Sequence, residues 1–237
     1  MTLAPSIATS SRRTSPPPSG TPSAAPRPRE RPASPRGIFI TIEGLDFSGK
    51  STLVRYLKPL LEDAGPPTHF TREPGGTPAA ERIRAVLLDP TLDMDPWTEA
   101  YLYAAARADH ARREILPRLE RGENVLCERY LDSSIAYQGR GRGLGVEAVR
   151  NLNAYAVGTV VPDKTFYLSL GAEEREWRAR ELAAPLDRIE SVGAEFMRRV
   201  EEGFEEIVRR EPERIEVLDA SCAPEDLAET VRRVFER

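Results

Sequence analysis

Residues Gly44-Leu45-Asp46-Phe47-Ser48-Gly49-Lys50-Ser51 set a glycine, four intervening residues, a second glycine, a lysine and a hydroxyl side chain in succession, with Thr52 behind them. That spacing suits a loop wrapped around phosphate. Glycines let the backbone turn until successive amide N–H groups converge on phosphate oxygens, and a helix opening near Lys50 adds the positive end of its dipole. Lys50 would then reach the β and γ phosphates, while the Ser51 hydroxyl suits a magnesium ion. The apolar run before the loop and the helical pattern after it supply the strand, turn and helix that this motif requires. ATP or GTP with magnesium is the implied ligand.

A phosphate loop alone does not separate switch GTPases, motor ATPases and small-molecule kinases. A GTPase normally carries an Asn-Lys-x-Asp segment, and the nearest match, Pro162-Asp163-Lys164-Thr165-Phe166, lacks the asparagine and the second acid. Arginine, by contrast, recurs where strands are expected to end, at Arg72 and Arg129, with Arg107 in a helix and Arg175, Arg178, Arg180 and Arg188 clustered later. Several guanidinium groups on the phosphate side point to two anionic substrates, because a second phosphate facing the first nucleotide needs its charge neutralised.

The elements that must position these groups follow from apolar periodicity. Strands are expected in 37–44, 67–74, 123–129, 163–170 and 214–220. Helices are expected from Lys50 to about Asp63, over 79–89, over 95–122 with a break near Pro117, from Val146 to Val157, and over 172–183, 192–211 and 224–236. Pro59 should kink the first helix or end it early, and Leu53, Leu57, Leu60 and Leu61 mark its inward face. Such alternation predicts an α/β fold, a parallel five-stranded sheet with helices on both faces and ligands at the carboxyl ends of the strands.

Composition bounds the rest. Of residues 1–36, 20 are Pro, Ser or Thr, and the stretch holds six arginines against one acid. It buries too little to order itself and reads as a disordered extension. The remainder carries 28 basic against 37 acidic side chains, about −9, which argues against a nucleic-acid-binding surface. No apolar segment is long enough to span a membrane. Cys127 and Cys222 form neither a disulfide framework nor a metal spacing, consistent with a cytoplasmic protein.

After the phosphate loop come TREPGGTPAAERIR, LYAAARADH, ERYLDSSIAYQGRGRGLG and PLDRIE, in that order. Together these blocks resemble the thymidylate kinases, P-loop enzymes that phosphorylate dTMP with ATP, and the likeness runs over 37–237. It implies a P-loop NTPase-type sheet, a mobile lid over about 172–190, a magnesium requirement and a homodimer.

Carried over by position, the resemblance places Asp46 near the sugar and the magnesium region. Tyr103, where an aromatic ring is usual, would stack on thymine. Arg107, one turn further along the same helix, would hold the acceptor phosphate together with Arg129, and Arg72 would lie beside it. Ser134, Tyr137 and Gln138 would read the base edge and close over the sugar. Arg140 and Arg142 either border this pocket or face solvent. The loop around Glu73 would shape the acceptor site, with a cis bond before Pro74 common in the family. Glu128 replaces the family's aspartate and, with Ser51, would serve the metal. Some family members place a basic residue inside the phosphate loop; Phe47 occupies that position here, so a lid arginine, Arg178 or Arg180 ahead of Arg175, is expected to neutralise transition-state charge. Asp187 and Arg188 would tie the lid shut, and Asp219, Ala220 and Ser221 would border the adenine. Two alternatives stay open: a monophosphate kinase with another base preference, and a nucleotide-binding regulator without catalysis.

Overall fold

The computed structural model describes residues 36–62, 65–182 and 188–236, all within one compact unit. The extension expected over 1–36 lies outside the described residues except for Arg36, which pairs with Asp163. Asp187 also lies outside them.

Five parallel strands form: β1 (Phe39–Gly44), β2 (Thr68–Arg72), β3 (Asn124–Glu128), β4 (Lys164–Ser169) and β5 (Ile215–Asp219). Their order is β2-β3-β1-β4-β5. Central β1 is buried at every position, as expected where helices cover both faces of a parallel sheet. Register then aligns the strand ends: Ile42 lies beside Glu128 and Phe166, and Arg72 also lies beside Glu128. The turn after Gly44, the arginine closing β2 and the acid closing β3 therefore share one edge.

On one face α1 (Lys50–Glu62) and α9 (Pro224–Arg232) pack Leu53, Leu57, Leu61, Leu227 and Val231 against Ile40, Ile42 and Phe166. The first helix runs through Pro59 to Glu62. Leu60, expected to face inward, is 39% exposed, whereas Leu53, Leu57 and Leu61, spaced four apart, are buried. On the other face, α6 (Val146–Val157) and α8 (Ala194–Arg210) contribute Val157, Phe196, Val200, Phe204 and Ile207 to two further apolar clusters.

The helix expected over 95–122 does not break at Pro117. It forms α3 (Pro96–His110), a π-helical stretch over Ala111–Ile115 and α4 (Leu116–Glu120). Asp95 caps its start through the Trp97 and Thr98 amides. Widening before Pro117 absorbs the register change its missing N–H would otherwise cause, with the Leu116 N–H reaching back to the Ala111 carbonyl. A second such stretch was not anticipated: α5 (Leu131–Ser134) passes directly into π-helical Ile135–Gly141, the segment bearing the expected base readers. Helices α2 (Pro78–Leu88) and α7 (Ala172–Leu182) complete the frame around the sheet edge.

Candidate active site

The turn after β1 depends on glycine at two places. Gly44 has φ 147°, and a Cβ there would sit 2.7 Å from Ser48 Oγ and 2.9 Å from the Leu168 carbonyl; Gly49 has φ 95°. Phe47 is held at φ 64° and Arg129 at φ 63°, conformations that cost side-chain-bearing residues about 1–3 kcal/mol and cluster at ligand sites. Buried Ser48 Oγ has no hydrogen-bond partner among the described residues.

Lys50 is buried, and its Nζ donates to the Leu45 carbonyl at 2.6 Å, so the lysine lies curled inside its own loop. Burial, and then Arg129, push its ammonium down to about 8, against the opposing pull of Asp46, Glu128 and Glu43. Beside it Asp46 forms an ion pair with Arg129 and accepts from Tyr137 Oη at 3.1 Å. Burial would raise the Asp46 carboxyl, but Arg129 and Lys50 outweigh it and hold the group below its ordinary range. Arg129 also donates to the Gly44 carbonyl at 2.8 Å and to Ser133 Oγ at 3.2 Å, and stacks over the Tyr137 ring at 5.3 Å. Across the loop the Ser51 hydroxyl donates to both Glu128 carboxylate oxygens, at 2.9 and 3.0 Å.

Arg107 departs from expectation. It is 2% exposed, and four of its five N–H groups are engaged: Nε by Glu73 at 2.7 Å, Nη1 by Ser134 at 2.9 Å and by Asn153, and Nη2 by the Tyr130 carbonyl at 2.9 Å. Its guanidinium thus braces the floor of the cavity with one donor left, where the sequence suggested a phosphate clamp. Glu73 in turn accepts from His110 Nδ1 at 3.0 Å, and His110 Nε2 meets Thr71 Oγ1 at 2.8 Å. The Glu73–Pro74 bond is cis.

Of the remaining expected residues, Arg72, Tyr103, Ser134, Tyr137 and Gln138 all line the cavity, with Arg72 also paired to Glu81 at 3.3 Å. Arg142 turns inward to Glu99 at 2.9 Å, whereas Arg140 pairs with Glu202 at the surface. Ala220 borders the cavity, while Ser221 and Asp219 bond to each other outside its lining. The three arginines of the expected lid separate. Arg178 lines the cavity, reaches the Ala220 carbonyl at 2.9 Å, and has Nη1 3.5 Å from the position of a Cβ on Gly49. Arg175 turns toward the Leu170 carbonyl and Glu201. Arg180 is exposed and absent from the lining, as expected for a residue two positions, about half a turn, from Arg178.

The loop, the acceptor-side groups and Arg178 border one continuous cavity of about 660 Å³. A sequence model described as thymidylate kinase matches residues 42–231. This chain belongs to the thymidylate kinase family. A thymidylate kinase of Symbiobacterium thermophilum is 46% identical over 200 residues, covering 84% of this chain and 92% of that protein. One from Deinococcus radiodurans is 45% identical over 203 residues, covering 85% and 98%. The crystal structure of thymidylate kinase from Ehrlichia chaffeensis superposes with a TM-score of 0.66 at 30% identity, covering 86% of this chain and all of that one. The chain is thereby a nucleotide-dependent phosphotransferase with the P-loop α/β fold, and the reading as a regulator without catalysis is not favoured.

Within this thymidylate kinase fold, several site residues escaped sequence reasoning. His110, Asn153 and Glu99 are fully buried. His110 lies one turn after Ala106 and Asn153 one turn after Val149, and a polar residue one turn from a buried apolar one was the available signal. Glu43 is another. Burial and then Asp132 raise its carboxyl to about 7, and it accepts from the Tyr130 and Ser133 amides and from Ser133 Oγ, securing the turn that holds Arg129.

Proposed function

We propose that this protein transfers the γ-phosphoryl group of ATP to dTMP, giving ADP and dTDP, with its kinase domain spanning 37–237. The observation that carries the reading is the single cavity bordered by a phosphate loop at one end and by Tyr103, Ser134 and Gln138 at the other. ATP occupies the loop, and dTMP lies opposite with its base against Tyr103. Arg129, whose charge Asp46 and its neighbours sustain against the burial penalty, holds the acceptor phosphate beside Arg72. A monophosphate oxygen is already nucleophilic, so positioning and charge neutralisation suffice. Lys50 leaves the Leu45 carbonyl for the transferring phosphoryl, and Arg178 supplies the charge that Phe47 cannot.

Ser51 and Glu128 fit a magnesium ion, because a hydroxyl and a carboxylate in contact at the loop are the sparse oxygen set that this ion takes alongside nucleotide phosphates. When bound with the nucleotide, the ion would neutralise charge on the phosphates. The reading includes a homodimer, supported by aromatic surface at Trp97 and Tyr101 on α3 and at Tyr155 on α6, which is 86% exposed. It also includes a cytoplasmic site of action, supported by two unpaired cysteines. No helix among the described residues is long and apolar enough to cross a membrane.

An ADP-release assay across dTMP, dUMP, UMP, CMP and GMP tests the reaction; dTMP should be turned over fastest, and absence of ADP release with dTMP would refute it. Replacing Arg178 with alanine should lower kcat by roughly 10²–10³, whereas Arg180→Ala should change it less than about twofold. Equal losses in steady-state assays would remove the distinction drawn between them.

A pH effect follows from Lys50. Its ammonium titrates near 8 in the free protein, and an anionic ligand favours the charged form, raising that value on binding. Nucleotide binding at about pH 9 should therefore take up close to one proton, and affinity should weaken as pH rises above 8. Calorimetry in buffers of different ionisation heat measures the uptake, which Lys50→Met should abolish.

A further inference from the structure

Glu99 takes no part in the reaction as described, yet it is fully buried within α3. Its carboxylate receives Arg142 Nε at 3.2 Å and Nη2 at 2.9 Å. Arg188, near the end of the stretch expected to form the lid, reaches it at 2.8 Å, and Gln138 Nε2 donates to it at 2.9 Å. A carboxylate held by two guanidinium groups offers only acceptors. The Gln138 amide must therefore turn its NH₂ toward Glu99, which leaves its carbonyl oxygen for the cavity that Gln138 lines.

We infer that Glu99 is a positioning residue that fixes which end of the Gln138 amide faces the acceptor base, and so makes the site choose pyrimidines carrying a hydrogen on ring N3. Thymine and uracil offer that N–H to the carbonyl. Cytosine presents a bare ring nitrogen, so two acceptors would face each other in a desolvated pocket, an arrangement that rejects a ligand strongly. Arg142 is itself fixed over the Phe196 ring at 4.8 Å, and Arg188 Nε donates to the Leu87 carbonyl at 2.8 Å. The carboxylate is thus gripped from two further elements and cannot turn away. This inference rests on the dTMP kinase reading and adds the residue that sets its base selectivity.

The test is Glu99→Gln. A second amide at that position can offer either its oxygen or its NH₂, so Gln138 is released to turn its own NH₂ into the cavity. The ratio of kcat/KM for dTMP to that for dCMP should fall at least tenfold, with KM for dTMP rising and the protein still folded by circular dichroism. A folded variant whose ratio stays within twofold of the parent overturns the inference. Should the variant fail to fold, the parent protein with ¹⁵N-labelled dTMP decides: a through-hydrogen-bond coupling from the base N3–H to the Gln138 side-chain carbonyl carbon supports the inference, and a coupling from the Gln138 side-chain NH₂ to the base in its place overturns it. A parent protein that phosphorylates no monophosphate would instead sink the function itself, which separates the two failures.

Discussion

Lys50→Ala should lower kcat by roughly 10²–10³, about 3–4 kcal/mol of barrier, with little loss of stability. The two halves of this expectation have one cause. Lys50 is an almost wholly buried ammonium whose charge is opposed first by burial and next by Arg129. Among the described residues its hydrogen-bond partner is the Leu45 carbonyl. Removing a charge that folding disfavours costs the folded state little. Removing the same charge from beside a phosphoryl in transit leaves that negative charge without its nearest compensation. Steady-state assays with saturating dTMP, together with thermal unfolding, measure both quantities. A variant that keeps near-normal turnover refutes the role given to Lys50, and one that unfolds well below the parent temperature refutes the account of its energetics.

Arg107→Ala is expected to do the opposite, costing stability first and activity through it. Four protein groups share this guanidinium, and its ion pair with Glu73 is almost fully buried on both sides. Truncation leaves the Glu73 carboxylate buried with His110 as its remaining described side-chain partner. Breaking such a pair from one side typically costs about 3–5 kcal/mol, read directly from urea unfolding. Arg107→Lys should retain part of the stability but lose the forked geometry that meets Glu73, Ser134 and Tyr130 together. If Arg107→Ala instead left unfolding unchanged and raised only KM for dTMP, the phosphate contact suggested by sequence alone would be restored and the bracing role withdrawn.

These two residues show where reading the chain succeeds and where it stops. Spacing places Lys50 at the head of α1 behind the loop, because two glycines at positive φ and a following helix fix where its backbone lies whatever surrounds them. Arg107 was assigned by helical offset from Tyr103, which placed both on one face of α3. Offset says nothing of what lies under that face. Glu73 is 34 positions away in sequence, Asn153 is 46 away and Ser134 is 27 away, and only folding brings all three to one guanidinium. Arg178 and Arg180 pose the same problem on α7: chemically alike and two residues apart, they differ in facing the cavity or the solvent.

By itself the sequence determined the parallel sheet, the phosphate loop, the class of chemistry and the family, because each of these is written in short segments whose covalent spacing or apolar period is sufficient. The tertiary structure alone decided which arginines line the cavity and which hold the frame, that Glu99 grips Gln138, and that Pro117 is absorbed by a widened turn. Those outcomes depend on which buried acids and carbonyls arrive beside a given donor. A buried guanidinium must satisfy its donors with whatever partners the fold supplies, and those partners are distant in the chain.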